Sequence, residues 1–195
     1  MGNDGVAQTP VSPLQQLCDQ AKVGDEAKAL LTEDISTKKF IDLLVEKELF
    51  PDALRLVAFL LPKREAIGWG CLCVRHVLAA QKDKPLPDVQ IAAERWVSAP
   101  SEENRWAAKQ LADKEKPKTP SGLLALGAFF AGPSMARPNV QPVPPPANLT
   151  SVMVANAVVI AGVVKEPDKA KEKYRVFMQK ALALIARMQQ PPQQA

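Results

Sequence analysis

The sequence predicts an all-α fold of about eight or nine helices, arranged as a compact orthogonal bundle or a short solenoid-like stack of helical hairpins. Three observations carry this reading. Apolar residues recur three and four apart, while no stretch alternates apolar and polar as a half-buried strand does. Only 5% of the residues are aromatic, and Ala and Leu supply much of the 47% apolar content, a composition that favours close-packed helices over sheets. The 18 prolines fall mostly at segment boundaries, in one long connection and in the C-terminal tail. No fixed repeat period recurs. The bundle is favoured over the stack because two very apolar helices lie far along the chain from Pro62–Gln81 and can close around it.

Residues 1–11 read as a flexible leader before a single helical domain over 12–188. Ser12-Pro13 starts the first helix, Ser as cap and Pro in the first turn, and Gly24 breaks it. A short helix follows from Asp25 to Leu31. Ser36 caps the next, with Phe40, Leu43 and Leu44 inward and Ile41 and Val45 widening the stripe. Phe50-Pro51 is expected to end it, because a residue before proline is pushed out of the α region. Leu54, Val57, Ala58 and Leu61 form the next stripe. Pro62 then opens PKREAIGWGCLCVRHVLAAQ, in which only Arg75 and His76 are strongly polar from Ala66 to Ala80. A helix apolar nearly all round is expected to be surrounded by others. This one is read as the central strut.

A helix over 87–98 directs Val89, Ala92, Ala93, Trp96 and Val97 inward. Ser101 caps another, acids in its first turn and Trp106, Gln110 and Leu111 as its stripe. Lys114 to Lys118 reads as a solvated turn. Thr119-Pro120-Ser121 opens GLLALGAFFA, stopped by Gly132-Pro133, and Gly127 is expected to admit a close neighbour. The connection 133–148 holds six prolines and forms neither helix nor central strand. Asn148 or Thr150 starts a helix apolar through Val164. Pro167-Asp168 starts the last, with Tyr174, Phe177, Met178, Ala181, Ile185 and Met188 as a continuous buried stripe. The Gln/Pro-rich tail 189–195 is expected to be disordered.

Net charge is +4, with acids and bases interleaved, which argues against a dedicated nucleic-acid surface. The longest apolar run, 149–164, falls short of the roughly 20 residues a membrane span needs. The N-terminus has an acid, no early Lys or Arg and no apolar core, so it does not read as a secretory signal. No Arg-Arg pair occurs in the chain. Three cysteines, Cys18, Cys71 and Cys73, imply no disulfide framework and fit a reducing compartment, so the expected location is the cytoplasm.

Chemistry-bearing residues are few. His76, the one histidine, stands three residues after Cys73 and shares its helix face, the spacing a nucleophile–base pair would need. The structural alternative is stronger, since nothing nearby would orient the imidazole. Cys71 and Cys73, two apart on a helix, point about 200° apart and cannot share a metal. No phosphate-binding glycine loop, metal ligand set or cofactor motif is present, and no catalytic residue is assigned. Glu102 and Glu103 are explained by their place at a helix start. Lys63, Arg64 and Glu65 read either as a solvated first turn or as a binding cluster. The PVPPP run reads either as a rigid surface spacer or as a polyproline docking segment. On the second reading Met135, Arg137, Val140, Pro142, Val143 and Pro144 contact a partner along an extended strand.

Several phrases together carry a resemblance. They are LPKREAIGWGCLCVR at 61–75, the Trp96-Val97 and Pro100 step, NRWAAKQLA, PSGLLALGAFFAGPSMARP and PVPPPANLTSVMVANAVVIAG. From about residue 30 to 185 the chain resembles an uncharacterised bacterial family, a domain of unknown function, with a Pro-Lys-Arg-Glu-Ala-x-x-Trp-x-Cys motif and a Pro-rich connection. Members are often labelled twin-arginine pathway proteins, a label that the missing Arg-Arg pair contradicts. The family's occurrence near type VI secretion components implies an adaptor, chaperone or accessory role with a secretion component or effector as partner. The turn reads Gly132-Pro133-Ser134 where the family pattern is Gly-Gly-Ser, which weakens any role resting on its flexibility. The expected function is thus a non-enzymatic protein-interaction module. The alternative is a small enzyme or ligand-binding protein with a pocket around Glu65, Trp69, Cys73 and His76.

Overall fold

A computed structural model describes residues 12–80, 84–115, 119–137 and 139–189. The leader 1–11, the tail 190–195 and part of the Lys114–Lys118 turn lie outside the described residues. Among those described there are ten α-helices, one 3-10 turn and no strand. They are α1 (Pro13–Gln20), α2 (Asp25–Lys28), α3 (Thr37–Glu46), α4 (Phe50–Leu60) and α5 (Lys63–Ala79). Then come α6 (Asp88–Ser98), α7 (Glu102–Glu115), α8 (Pro120–Phe130), α9 (Leu149–Val163) and, after the 3-10 turn Pro167–Lys169, α10 (Ala170–Met188). No single helix among them is long and apolar enough to cross a membrane.

Helix starts follow the sequence closely. The hydroxyls of Ser12, Ser36, Ser101 and Thr119 accept hydrogen bonds from the backbone N–H three residues on, as side-chain caps should. Pro62 is the cap of α5 rather than its first residue, with an extended ψ of 150°. Helix ends follow it less well. α1 and α3 stop before Gly24 and Phe50-Pro51, because Lys22 (φ 56°) and Glu48 (φ 59°) take the left-handed conformation. Val23 N–H then reaches Cys18 O, and Leu49 N–H reaches Leu44 O, the six-to-one closure that usually recruits glycine. Phe50 accordingly begins α4 instead of ending α3.

α5 and α9 share the centre. α9 packs against α4, α5, α8 and α10, and α5 touches those same helices and α6. The chain turns by 116° between α9 and α10, which lays α10 across α4 and α5. Contacts between segments so distant in sequence make a bundle, not a nearest-neighbour stack. The tight points include Gly70, where a Cβ would stand 2.5 Å from Leu124 Cδ2, Gly132, where it would stand 2.4 Å from Arg105 Cδ, and Gly162, where it would stand 2.0 Å from Tyr174 Cε1. At Gly127 a Cβ would meet Met153 only at ordinary contact distance, 3.5 Å, so the expected close approach lies elsewhere.

Two stripes differ from expectation. α7 turns Arg105, Ala108 and Ala112 inward, leaving Gln110 exposed and Trp106 and Leu111 half-buried. α5 is not surrounded on all sides, because Leu72 is 45% exposed and Arg75 and His76 face outward. Its opposite face is fully covered. Trp69 has no exposed surface and donates its indole N–H to Phe177 O at 3.0 Å. Trp69→Ala should therefore destabilise the protein by about 3–5 kcal/mol, the usual loss for deleting a buried indole. Urea denaturation checks this, and an unchanged midpoint would contradict the packing of α5.

Candidate functional site

The four residues of the enzyme-like alternative do not meet. Glu65 and Trp69 line a cleft of about 420 Å³ between α5, the end of α6 and the last turns of α10. Cys73 is fully buried and lines none of the cavities described here. His76 faces outward beside Lys165, Lys169 and Lys173, with its ring edge-on to Phe177 at 6.2 Å. Burial, and then the charges of Lys180 and Lys173, hold the His76 pKa below its ordinary value. Burial pushes the Cys73 thiol well up and the Cys71 thiol up as well, which is opposite to what a nucleophile needs. Among the described residues no group of three or more His, Cys, Asp or Glu side chains could hold a metal.

The first turn of α5 has a structural task. Arg64 Nε donates to Val97 O at 2.7 Å and its Nη2 to Ser98 O at 3.4 Å, closing the last turn of α6. Lys63 is exposed and Glu65 half-buried. Further along α5, Arg75 grips Glu94 of α6 through two bonds of 2.7 Å, and Gln90 Nε2 adds a third at 2.9 Å. Burial alone would raise the Glu94 carboxyl. The hydrogen bonds from Arg75 and Gln90 outweigh it and hold the pKa below the ordinary value.

The connection after α8 is folded back, not extended throughout as the docking-strand reading expected. Met135 N–H donates to Val143 O at 2.7 Å, and Ser134 Oγ accepts from both Ala136 and Val143 N–H at 3.0 Å. Ser134 thereby closes a loop over 134–143 that carries Arg137, Val140 and Pro142 exposed at its surface and Met135 half-buried at its base. Val143 and Pro144, also exposed, lead away from the closure toward α9.

A second opening, more apolar than the cleft, lay outside the sequence reading. α3, α4 and the end of α10 enclose a groove of about 600 Å³ whose walls include Ile41, Val57, Leu60, Leu182, Ile185 and Met188. Leu60, Leu182 and Met188 are 44%, 50% and 46% exposed. Met188 is therefore not part of a buried stripe, because the neighbours that cover Tyr174 to Ala181 do not extend over the last two turns of α10. The signal available in the sequence was length. The apolar repeat of α10 runs past the residues its partners can reach.

Cys18 is also fully buried. Ellman titration of the native chain should accordingly find no reactive thiol, and three after denaturation. Fast modification of Cys73 that disappears in His76→Ala would overturn this and revive a thiolate–imidazole pair.

No curated protein and no solved structure is matched by the chain. The sequence model of a family of unknown function, DUF6931, matches residues 40–185, which spans α4 to α9 and most of α3 and α10. It stops short of Arg187 in the cleft and of Thr37, Lys38, Ala186, Met188 and Gln189 in the groove. The chain thus belongs to the DUF6931 family, a family of unknown function.

Proposed function

We propose that this chain is a non-enzymatic protein-interaction module of the cytoplasm that receives an amphipathic helix of a protein partner. The observation that carries the reading is the groove between α3, α4 and α10, where Leu60, Leu182 and Met188 are left half open side by side. Exposed apolar patches of this kind mark interaction sites more often than they mark chemistry. Its walls are helical ridges, Val57 and Leu60 on one side and Leu182, Ile185 and Met188 on the other. Both run at spacings of three, the shape into which a third apolar ridge packs. The rim is electrically balanced, since Lys38 pairs with Asp42 at 3.1 Å, so the partner is selected by apolar fit. The scattering of Glu65, Cys73 and His76 over different surroundings further favours binding over catalysis.

The resemblance to chains found near type VI secretion components makes a secretion component or effector the first partner to try, with this chain as its adaptor or chaperone. A second reading places the partner on the closed loop, favoured by the exposure of Val140 and Val143. A photocrosslinker at position 182 should capture the partner in cells. A synthetic peptide of its crosslinked segment should then bind the purified chain and become helical. Leu60→Glu with Leu182→Glu should weaken that binding at least about a hundredfold, as burying two unpaired charges would, while leaving the circular dichroism unchanged. Binding that survives those changes but is lost in Val140→Ser with Val143→Ser would move the partner to the loop. Capture of nothing but a second copy of this chain would contradict the proposal.

A further inference from the structure

The cleft beside Trp69 is separate from the groove and has a different character. Its volume, about 420 Å³, lies in the range of small-ligand sites. Leu72, Val97 and Leu184 give it an apolar wall, and Leu72 is open to solvent although it sits mid-helix. Five ionisable groups surround that wall: Arg64, Glu65, Arg75, Glu94 and Arg187. Arg75 and Glu94 neutralise each other through their paired bonds. Arg64 uses Nε and Nη2 on the last carbonyls of α6. The side chain of Arg187, in the last turn of α10, makes no ion pair or hydrogen bond among the described residues, and that of Glu65 makes none either.

Two cations, Arg64 and Arg187, therefore face one uncompensated carboxylate, Glu65. The balance suits a ligand with a single negative charge. A doubly charged phosphate would also have to approach Glu65 and Glu94. A free guanidinium offers the planar fork that a carboxylate accepts through two parallel bonds. We infer that the cleft binds a small apolar monocarboxylate, its carboxylate held by Arg187 and its apolar part against Leu72, Val97 and Leu184. A free aliphatic acid and the carboxyl terminus of a peptide share that chemistry.

Octanoate and N-acetyl-leucine represent the two sources, and N-acetyl-leucinamide is the uncharged control. Each is titrated into the full chain while the methyl signals of Leu72, Val97 and Leu184 and the Nε signal of Arg187 are followed by NMR. At least one acid should shift these signals to saturation at roughly millimolar concentration, a reasonable affinity for so few contacts. Which acid saturates tells the free-acid source from the chain-terminus source. The amide should not bind. Arg187→Gln, at an exposed position, should weaken binding about tenfold or more, the cost of one charge-assisted pair, and Leu72→Asp should abolish it by adding a carboxylate to the wall. The inference is overturned if neither acid saturates by about 20 mM, if the amide binds as well as the acids, or if both variants bind as the wild type does.

Discussion

Helix ends are the constraint on which this bundle depends. The last carbonyls of a helix have no intrahelical partner, and burying them unpaired is costly. From α5 onward the end of a helix is closed three times by a cation from a different helix. Arg64 of α5 closes α6, Arg105 of α7 closes α8, and Lys173 of α10 closes α9. Each contact satisfies a carbonyl and at the same time fixes how two helices cross. Local sequence could have supplied a glycine cap at each end. Tertiary closure instead makes the helices' ends dependent on one another.

Arg105 is the most deeply committed of the three. It is only 2% exposed, and such a cation is tolerated only when fully paired. Its Nε and Nη2 bind the two oxygens of Glu102 at 2.8 and 2.6 Å, and Nη1 donates to Phe129 O at 2.9 Å. The guanidinium also lies 4.8 Å from the Phe129 ring centroid, a cation–π distance. The hydrogen bond from Arg105 holds the Glu102 carboxyl below its ordinary pKa against the opposing effect of burial. Its contribution is thus present at neutral pH and fades as pH falls through the folded-state value. Gly132, where the connection begins, leaves the space this side chain fills. Lys173 does the corresponding work at the other end, donating to the carbonyls of Gly162, Lys165 and Glu166 while Tyr174 OH reaches Val159 O at 2.8 Å.

Fold class and most helix starts were legible because they are local. A Ser or Thr followed by a helical stripe needs no knowledge of the rest of the chain. What stayed hidden was set by tertiary contacts. The stripe of α7 was misphased because Arg105 reads as a solvent residue until Phe129 and Glu102 stand beside it. The ends of α1 and α3 were misplaced because Lys22 and Glu48 do what glycine usually does. Met188 read as core because its spacing continues that of Phe177 and Ala181. The groove it lines exists only once α3, α4 and α10 have been brought together. The cleft was half legible. Glu65 and Trp69 were named, but Leu184 and Arg187 come from more than a hundred residues away.

The claim that cations from neighbouring helices close these ends is tested most directly at Gly132. A Cβ there would stand 2.4 Å from both Cδ and Nε of Arg105. Gly132 has no positive φ, so alanine meets no backbone strain at this position. The measurement is a double-mutant cycle by urea denaturation, with Gly132→Ala in the wild-type chain and again in Arg105→Ala. The account predicts a loss of about 2 kcal/mol or more in the first background and close to none in the second, the coupling expected of groups in direct contact. An equal loss in both backgrounds would show that Arg105 does not occupy that space, and the account would be contradicted.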